Sequence, residues 1–364
     1  PSSARSRTRQ IFDGARPASR TNTRMHDVID RYSNLHRTGA DGRVYTTRTR
    51  LVRVEAGVHA RVPALLARHA APGRLAVFYD RNTFAVAGRE VVEALKAAGA
   101  PFSAFELVPG PNDDANVCCD DETIGVALHL LRNETFSHAL AVGAGTVNDV
   151  VKMASFKAGL DYSVVATAPS MNGYTSAIAA ILSDGVKTTQ ACNAPIAAVA
   201  DPHVMANAPY RMIASGIGDL YSKPVSNADW RLAHRLLGSF HSDMVMEIVD
   251  AAAGILVGVA PRLPLRDVDA VARLSGSIML SGLAMQAAGS SGPASGGEHL
   301  ISHYYDMTSV AFSEPHDFHG CQVAVGTLAT CTLYDELRRV DPATVDVDAL
   351  VRAHPTRDAL VAQI

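Results

Sequence analysis

"ALAVGAGTVNDVVKMAS", residues 139–155, decides how this chain reads. Ala139 to Val142 is an unbroken apolar run, the pattern of a strand buried on both faces. Gly143-Ala144-Gly145 then breaks the run, and a helix is expected from about Thr146. Glycines at such a turn let the backbone approach a pyrophosphate closely. The free N–H groups and the dipole of the following helix favour its negative charge. The stretch is not the full GxGxxG pattern, because Asn148 stands at the third glycine position. On these residues alone a plain tight turn explains the glycines equally well.

Working outward, the same alternation repeats. "RLAVFYDRNTFAVAG" reads as a strand over Leu75–Tyr79 and a turn at Asp80-Arg81-Asn82. "REVVEALKAAGA" follows, with Val91, Val92, Leu95 and Ala98 at helical spacing and Gly99 as a stop. "FSAFELV" is the next strand and "DDETIGVALHLLRN" the next helix. "YSVVATAPS" is a further strand beyond the opening stretch. Strands alternating with helices predict a mainly parallel, Rossmann-like sheet. The last strand runs into "TAPSMNGYTS", which places Thr167, Ser170, Asn172 and Ser176 at the sheet's C-terminal edge. Ligands of open α/β sheets bind at that edge.

Beyond about residue 205 the texture changes to long, Ala-rich segments of helical period. The expected organisation is an α/β nucleotide-binding domain over residues 41–204 and an all-α domain over 205–364, with the boundary near Asp201-Pro202. Residues 1–40 open with a Ser- and Arg-rich stretch of few apolar residues and are expected to be a disordered basic arm. Met25 would be a plausible initiator.

Composition narrows the function. Hydrophobic residues make up 48% of the 364, enough for a substantial core. A net charge of −3 and 6% aromatics argue against a nucleic-acid partner. The five cysteines are odd in number and show no CxxC spacing, so reduced thiols in the cytoplasm are expected. No signal-peptide core is visible. The longest apolar candidate, around Ala251–Val259, is too short to span a bilayer.

The histidines carry the next signal. "ASGGEHLISHYYDM", residues 294–307, looks like a helix start, with Ser295 three residues before Glu298 in a capping-box pattern. His299 and His303 are i and i+4 on one face. His319 follows in "DFHGCQVAVGTL", with His316 close by. A lone carboxylate, Asp219, stands in "SGIGDLYSKP" behind Gly216-Ile217-Gly218, read as a small-residue turn. One carboxylate with two histidines would give a divalent metal three ligands and leave a position open. Most of the fourteen histidines will have ordinary surface or core roles.

Together these residues resemble the iron-containing alcohol dehydrogenase and dehydroquinate synthase superfamily, closest to its sn-glycerol-1-phosphate dehydrogenase branch. The motifs are "RNTFAVAG", "VGAGTVNDVVK", "TAPSMNGYTS", "SGIGDLYSKPVSNADW", "GPASGGEHLISHYY" and "HGCQVAVGTL", in family order over about residues 75–330. The resemblance implies an active site in the cleft between the two domains. It implies NAD or NADP held by Gly143, Gly145, Thr146, Val147, Asn148, Asp149, Thr167, Ser170 and Ser176, with Asp80 at the adenosine ribose. It implies one divalent metal, zinc, nickel or iron, on Asp219, His299 and His319. His303 is a candidate proton relay, or else a helix residue packed against its surroundings. A small-molecule substrate and a homodimer are also implied. For the choice of cofactor, Asp80 favours a free 2′-hydroxyl and Arg81 a 2′-phosphate.

The chain departs from the family in three places. Asn172 stands where the family has an aspartate that touches substrate, keeping hydrogen-bonding capacity without the charge. Gly292 stands where the family has an arginine, the natural clamp for phosphate. The chain ends 45 residues after His319, so a short C-terminal bundle is expected. Lys152, Lys187, Arg211 and Lys223 remain as possible anion contacts, with Lys187 the leading one and each of them otherwise a solvated surface charge. The expected activity is metal-dependent reduction of a hydroxyketone such as dihydroxyacetone phosphate. Reduction of another polyol, sugar or phosphonate ketone is the alternative. A dehydroquinate-synthase-like cyclase and an inactive binding protein stand further back.

Overall fold

A computed structural model describes residues 25–110, 116–184, 186–312, 314 and 317–362. Residues 1–24 of the expected arm, and His316, lie outside the described residues. The strands are β1 (His36–Thr38), β2 (Val44–Thr46), β3 (Leu51–Val54), β4 (Leu75–Asp80), β5 (Phe102–Leu107), β6 (His138–Gly143), β7 (Asp161–Ala166), β8 (Ile178–Ser183), β9 (Val186–Ala191) and β10 (Ala197–Ala200). Six of them form a sheet in the order β3-β10-β7-β6-β4-β5. Every pairing in it is parallel. The pairs β1–β2 and β8–β9 are separate antiparallel hairpins.

The apolar run of the opening stretch becomes β6, and every residue in it is buried. Its position sets the site. From β4 the chain crosses to β5 at one edge of the sheet, whereas from β6 it crosses to β7 on the other side. The connections therefore diverge between β4 and β6, the point where an open α/β sheet leaves a crevice at its C-terminal edge. Asp80 ends β4 and Gly143 ends β6.

Among the described residues no strand follows Ala200, and helices follow from Pro202 onward. Asp201 makes the corner: its side chain accepts from His203 N at 2.8 Å and from Gly57 N at 2.6 Å. The Val268–Ala288 helix is the centre of the helical part. At 21 residues it is long and apolar enough to cross a membrane, more so than the segment singled out from the sequence, yet 78% of its most apolar window is buried inside the fold. Its apolarity is that of a core helix.

One expectation needs correction. Residues 25–40 are not a disordered arm. Met25–Tyr32 is a helix whose Ile29 and Tyr32 are buried. It packs on the Val268–Ala288 helix so closely that Met25 and Ile29 fill the space beside Gly276. The apolar i, i+4 pair that does this is short and lies next to a charged stretch, which masked it. No expectation covered β3, β8, β9 and β10, which propensity did not announce. β10 is "AAVA", a weak strand former by composition, held because it lies between β3 and β7.

Candidate active site

Three helices converge on Asp219. It lies on the Tyr210–Tyr221 helix, His299 on the Gly297–Phe312 helix, and His319 opens the His319–Leu337 helix. The ligand-type atoms of these three residues all lie within 4.8 Å of one another. His299 Nε2 is 3.7 Å from Asp219 Oδ1, and the two imidazole centroids are 5.1 Å apart. Gly216 and Gly218 are not in a turn, as read from the sequence, but inside the Tyr210–Tyr221 helix. Their role is close approach. A Cβ on Gly216 would overlap the Pro169 carbonyl oxygen, and one on Gly218 would overlap the Gly320 carbonyl. Gly320 in turn lies flat against Ser215. Small residues at these crossings let the helices sink together until the three side chains meet.

Each of the three side chains is held from behind. Asp219 is fully buried. Its Oδ2 accepts from the Asn172 backbone N–H at 2.9 Å, and its Oδ1 accepts from Lys223 Nζ at 3.0 Å. Burial alone would push this carboxyl up. The Lys223 ammonium, His319, His299 and the Asn172 N–H outweigh burial and hold it down at about 2, so it is ionised. His319 is pushed down to about 3, chiefly by burial, and is neutral at pH 7. Its Nδ1 is 3.3 Å from Ser302 Oγ, which donates to Gln322 Oε1 at 2.9 Å. His299 Nδ1 is 2.7 Å from Glu298 Oε1. Both histidines are thus bonded through Nδ1 and leave Nε2 for the centre. One buried, ionised carboxylate, one buried imidazole and one half-buried imidazole converge here, a donor set that fits a divalent cation with a position left open.

Glu298 was missed as part of the site, and Lys223 was named only as a possible anion contact or a surface charge. The expected capping box of Ser295 with Glu298 does not form. Ser295 N donates to Ser291 O at 2.9 Å, while the Glu298 side chain accepts from Gly296 N and faces His299. Lys223 is not a solvated charge: besides Asp219 it donates to Ala294 O at 2.7 Å. Lys152 is also sealed, bonded to Asp149 Oδ1 at 3.2 Å, Gly173 O at 2.7 Å and Ile178 O at 2.9 Å. Arg211 pairs with Asp317 at the surface.

The nucleotide-side residues divide into two groups. The helix after β6 starts at Gly145, and its N-cap residue, Ala144, provides no side-chain cap. Gly145 and Thr146 are half-buried at the mouth. That end can receive an anion on backbone N–H groups. Val147, Asn148 and Asp149 are buried and face inward. Asn148 Nδ2 donates to Asp149 Oδ1 at 2.8 Å, and Asp149 Oδ2 accepts from Ala180 N at 3.3 Å. Through Lys152 they brace the 173–178 turn. Ser176 is spent inside that turn, donating to Gly173 O at 2.9 Å. Thr167 and Ser170 are buried. A Cβ on Gly145 would be 3.1 Å from Met171 Cγ, so the nucleotide turn touches the segment that leads to Asn172 and Asp219. Asp80 is half-buried and accepts from Thr83 N at 2.8 Å, capping the short helix after β4.

The β8–β9 hairpin adds Lys187, half-buried, whose charge helps lower both His303 and His319. His303 is half-buried, with its ring centroid 6.5 Å from that of His319. It is lowered mainly by burial and then by His299. The Asn172 side chain is buried, and its Nδ2 has no partner. Gly292 lies against Trp230: a Cβ there would be 2.8 Å from the indole Nε1.

The chain is similar to known proteins over most of its length. The sequence pattern of the family described as iron-containing alcohol dehydrogenase matches residues 53–209. A glycerol-1-phosphate dehydrogenase [NAD(P)+] of Thermococcus sibiricus is 35% identical over 300 residues, covering 77% of this chain and 81% of that protein. One from Bacillus velezensis is 35% identical over 266 residues, 71% of this chain. The chain spans 65% of the length of that Bacillus protein. Among solved structures, a probable glycerol dehydrogenase from Sinorhizobium meliloti shares the fold with a TM-score of 0.64 at 22% identity, over 84% of this chain and 80% of its own. Glycerol dehydrogenase from Schizosaccharomyces pombe does so at 0.65 and 19% identity, over 83% of this chain and 74% of its own. The chain belongs to the iron-containing alcohol dehydrogenase family, in the branch of the glycerol-1-phosphate dehydrogenases.

Proposed function

We propose that this chain is a divalent-metal-dependent, NAD(P)-linked dehydrogenase that interconverts a small hydroxyketone and its alcohol, with dihydroxyacetone phosphate as the ketone. The observation that carries this reading is the convergence of Asp219, His299 and His319 within 4.8 Å, joined to the nucleotide turn by the Asn172–Asp219 bond. When bound, the metal would polarise the substrate oxygen and the reduced nicotinamide would supply hydride to the carbon. The chain's own residues do the rest. Asp219, ionised, would hold the cation together with His299 and His319. Gly145 and Thr146 offer backbone N–H groups to the pyrophosphate, with Thr167, Ser170 and Asp80 along the same edge. Lys187 supplies positive charge on the facing hairpin and is the leading anchor for a substrate phosphate. His303, one turn beyond His299, is the candidate to pass a proton to the nascent alcohol. We further expect a homodimer in the cytoplasm, which the five free thiols suit.

Two features favour a second reading, in which the ketone is another polyol, sugar or phosphonate. Asn172 brings an uncharged amide, not a carboxylate, to the site. Trp230 fills the space beside Gly292, so an arginine at that position and Trp230 in its place exclude each other.

Oxidation of NADH, and separately of NADPH, with dihydroxyacetone phosphate distinguishes the readings. The protein is stripped of metal and then given zinc, nickel or ferrous iron. Metal-dependent turnover is expected. Cofactor binding without turnover would move the substrate to a different ketone.

A further inference from the structure

One buried carboxylate beside the centre has no ligand role. Glu298 is fully buried. Its Oε1 accepts from Gly296 N at 3.2 Å and lies 2.7 Å from His299 Nδ1. Its Oε2 is buried without a partner. An ionisable group sealed from water at this cost persists where something nearby uses it. The surroundings also prevent it from swinging away. Gly297 N donates to Asp229 Oδ2 at 2.7 Å, and Tyr334 OH donates to Asp229 Oδ1, which fixes the first turn of the helix. From the other side, the His319–Leu337 helix presses Gly326 onto the Glu298 backbone carbonyl, with no room for a Cβ.

We propose that Glu298 is a positioning residue for the metal centre, a role that rests on the metal reading above. Its carboxylate accepts the Nδ1 proton of His299, selects the tautomer with a bare Nε2, and aims that nitrogen at Asp219. Its negative charge also makes His299 the stronger donor of the two histidines. His319 has only the neutral Ser302–Gln322 pair behind it. The two imidazoles are therefore unequal: the cation depends more on the group behind His299 than on the one behind His319.

The test uses the full chain, metal-stripped, with zinc affinity read by competition against a chromophoric chelator. Glu298→Gln keeps size and an acceptor oxygen but removes the charge. It is expected to bind zinc about 10- to 100-fold more weakly than the parent. The visible bands of the cobalt-loaded protein should shift, and metal-free melting should stay close to the parent. Ser302→Ala should weaken zinc less. Glu298→Asp, which restores the charge, should recover part of the loss. Zinc affinity of Glu298→Gln within twofold of the parent, with melting lowered, would make Glu298 a packing residue and overturn the proposal. Long-range 1H–15N correlation on the unmutated metal-free protein needs no variant. It should show His299 protonated at Nδ1; protonation at Nε2 would equally overturn it. Failure of the parent itself to bind zinc or cobalt would instead remove the metal centre, a result separable from either of these.

Discussion

At the scale of single residues, the site depends on side chains that are missing. Gly218 and Gly320 allow backbone to meet backbone where the Tyr210–Tyr221 and His319–Leu337 helices cross, and Gly216 does the same against Pro169. Gly320→Ala is expected to cost about 1–3 kcal/mol by overpacking, read by urea denaturation, and to separate His319 from Asp219, read as lost zinc binding. Unchanged zinc affinity in that variant would show that the crossing tolerates a methyl. Lys152 gives a second case. It is the buried partner of Asp149 and ties down the 173–178 turn. Removing one member of a buried pair strands the other, so Lys152→Met should lose about 3–5 kcal/mol. A loss under about 1 kcal/mol would mean that water reaches Asp149. Residue type and spacing raised Asp219 with four candidate histidines, and only the family resemblance chose His299 and His319 among them. Residue type and spacing were not enough for Glu298 and Lys223. A glutamate near a helix start already has an explanation as a cap, and a lysine already has one as a surface charge. Their main partners are near in the chain, Asp219 four residues before Lys223 and His299 next to Glu298, but both side chains are turned inward and not to solvent.

At the scale of elements, β6 and its helix were legible because periodicity and glycine agree there. The short strands were not, since four residues of β3 or β10 carry no period of their own and depend on neighbours. β6 also carries a testable pH response. His138 begins the strand fully buried, its Nε2 2.9 Å from Ser163 Oγ on β7. Burial pushes it down to about 4 from an ordinary 6.5. The folded chain thus excludes a proton that the unfolded chain takes up. The stabilising contribution is complete above about pH 6.5 and is lost as pH falls from there toward 4. Over the whole window it amounts to about 3 kcal/mol. His138→Asn should flatten the fall in stability between pH 6.5 and 5 by about 1–2 kcal/mol in urea titrations. Parallel curves for the two proteins would show that His138 is protonated in the native state.

At the scale of the molecule, one sheet edge and one three-helix junction share a wall. Pro169 to Asn172 touches the nucleotide turn on one side and carries the N–H that bonds Asp219 on the other. The division into α/β and helical parts was legible from texture. The packing of Met25–Tyr32 onto the core helix was not, because the apolar pair that holds it, Met25 and Ile29, has meaning only once Gly276 is beside it. That these separate pieces make one metal centre is the claim on which the proposed activity stands. Metal content by mass spectrometry, after zinc loading and dialysis, tests it directly in the parent and in Asp219→Ala, His299→Ala and His319→Ala. One tightly held zinc per chain in the parent and none in any of the three variants is expected. No zinc in the parent, or a full equivalent retained when any one of the three is removed, would contradict it.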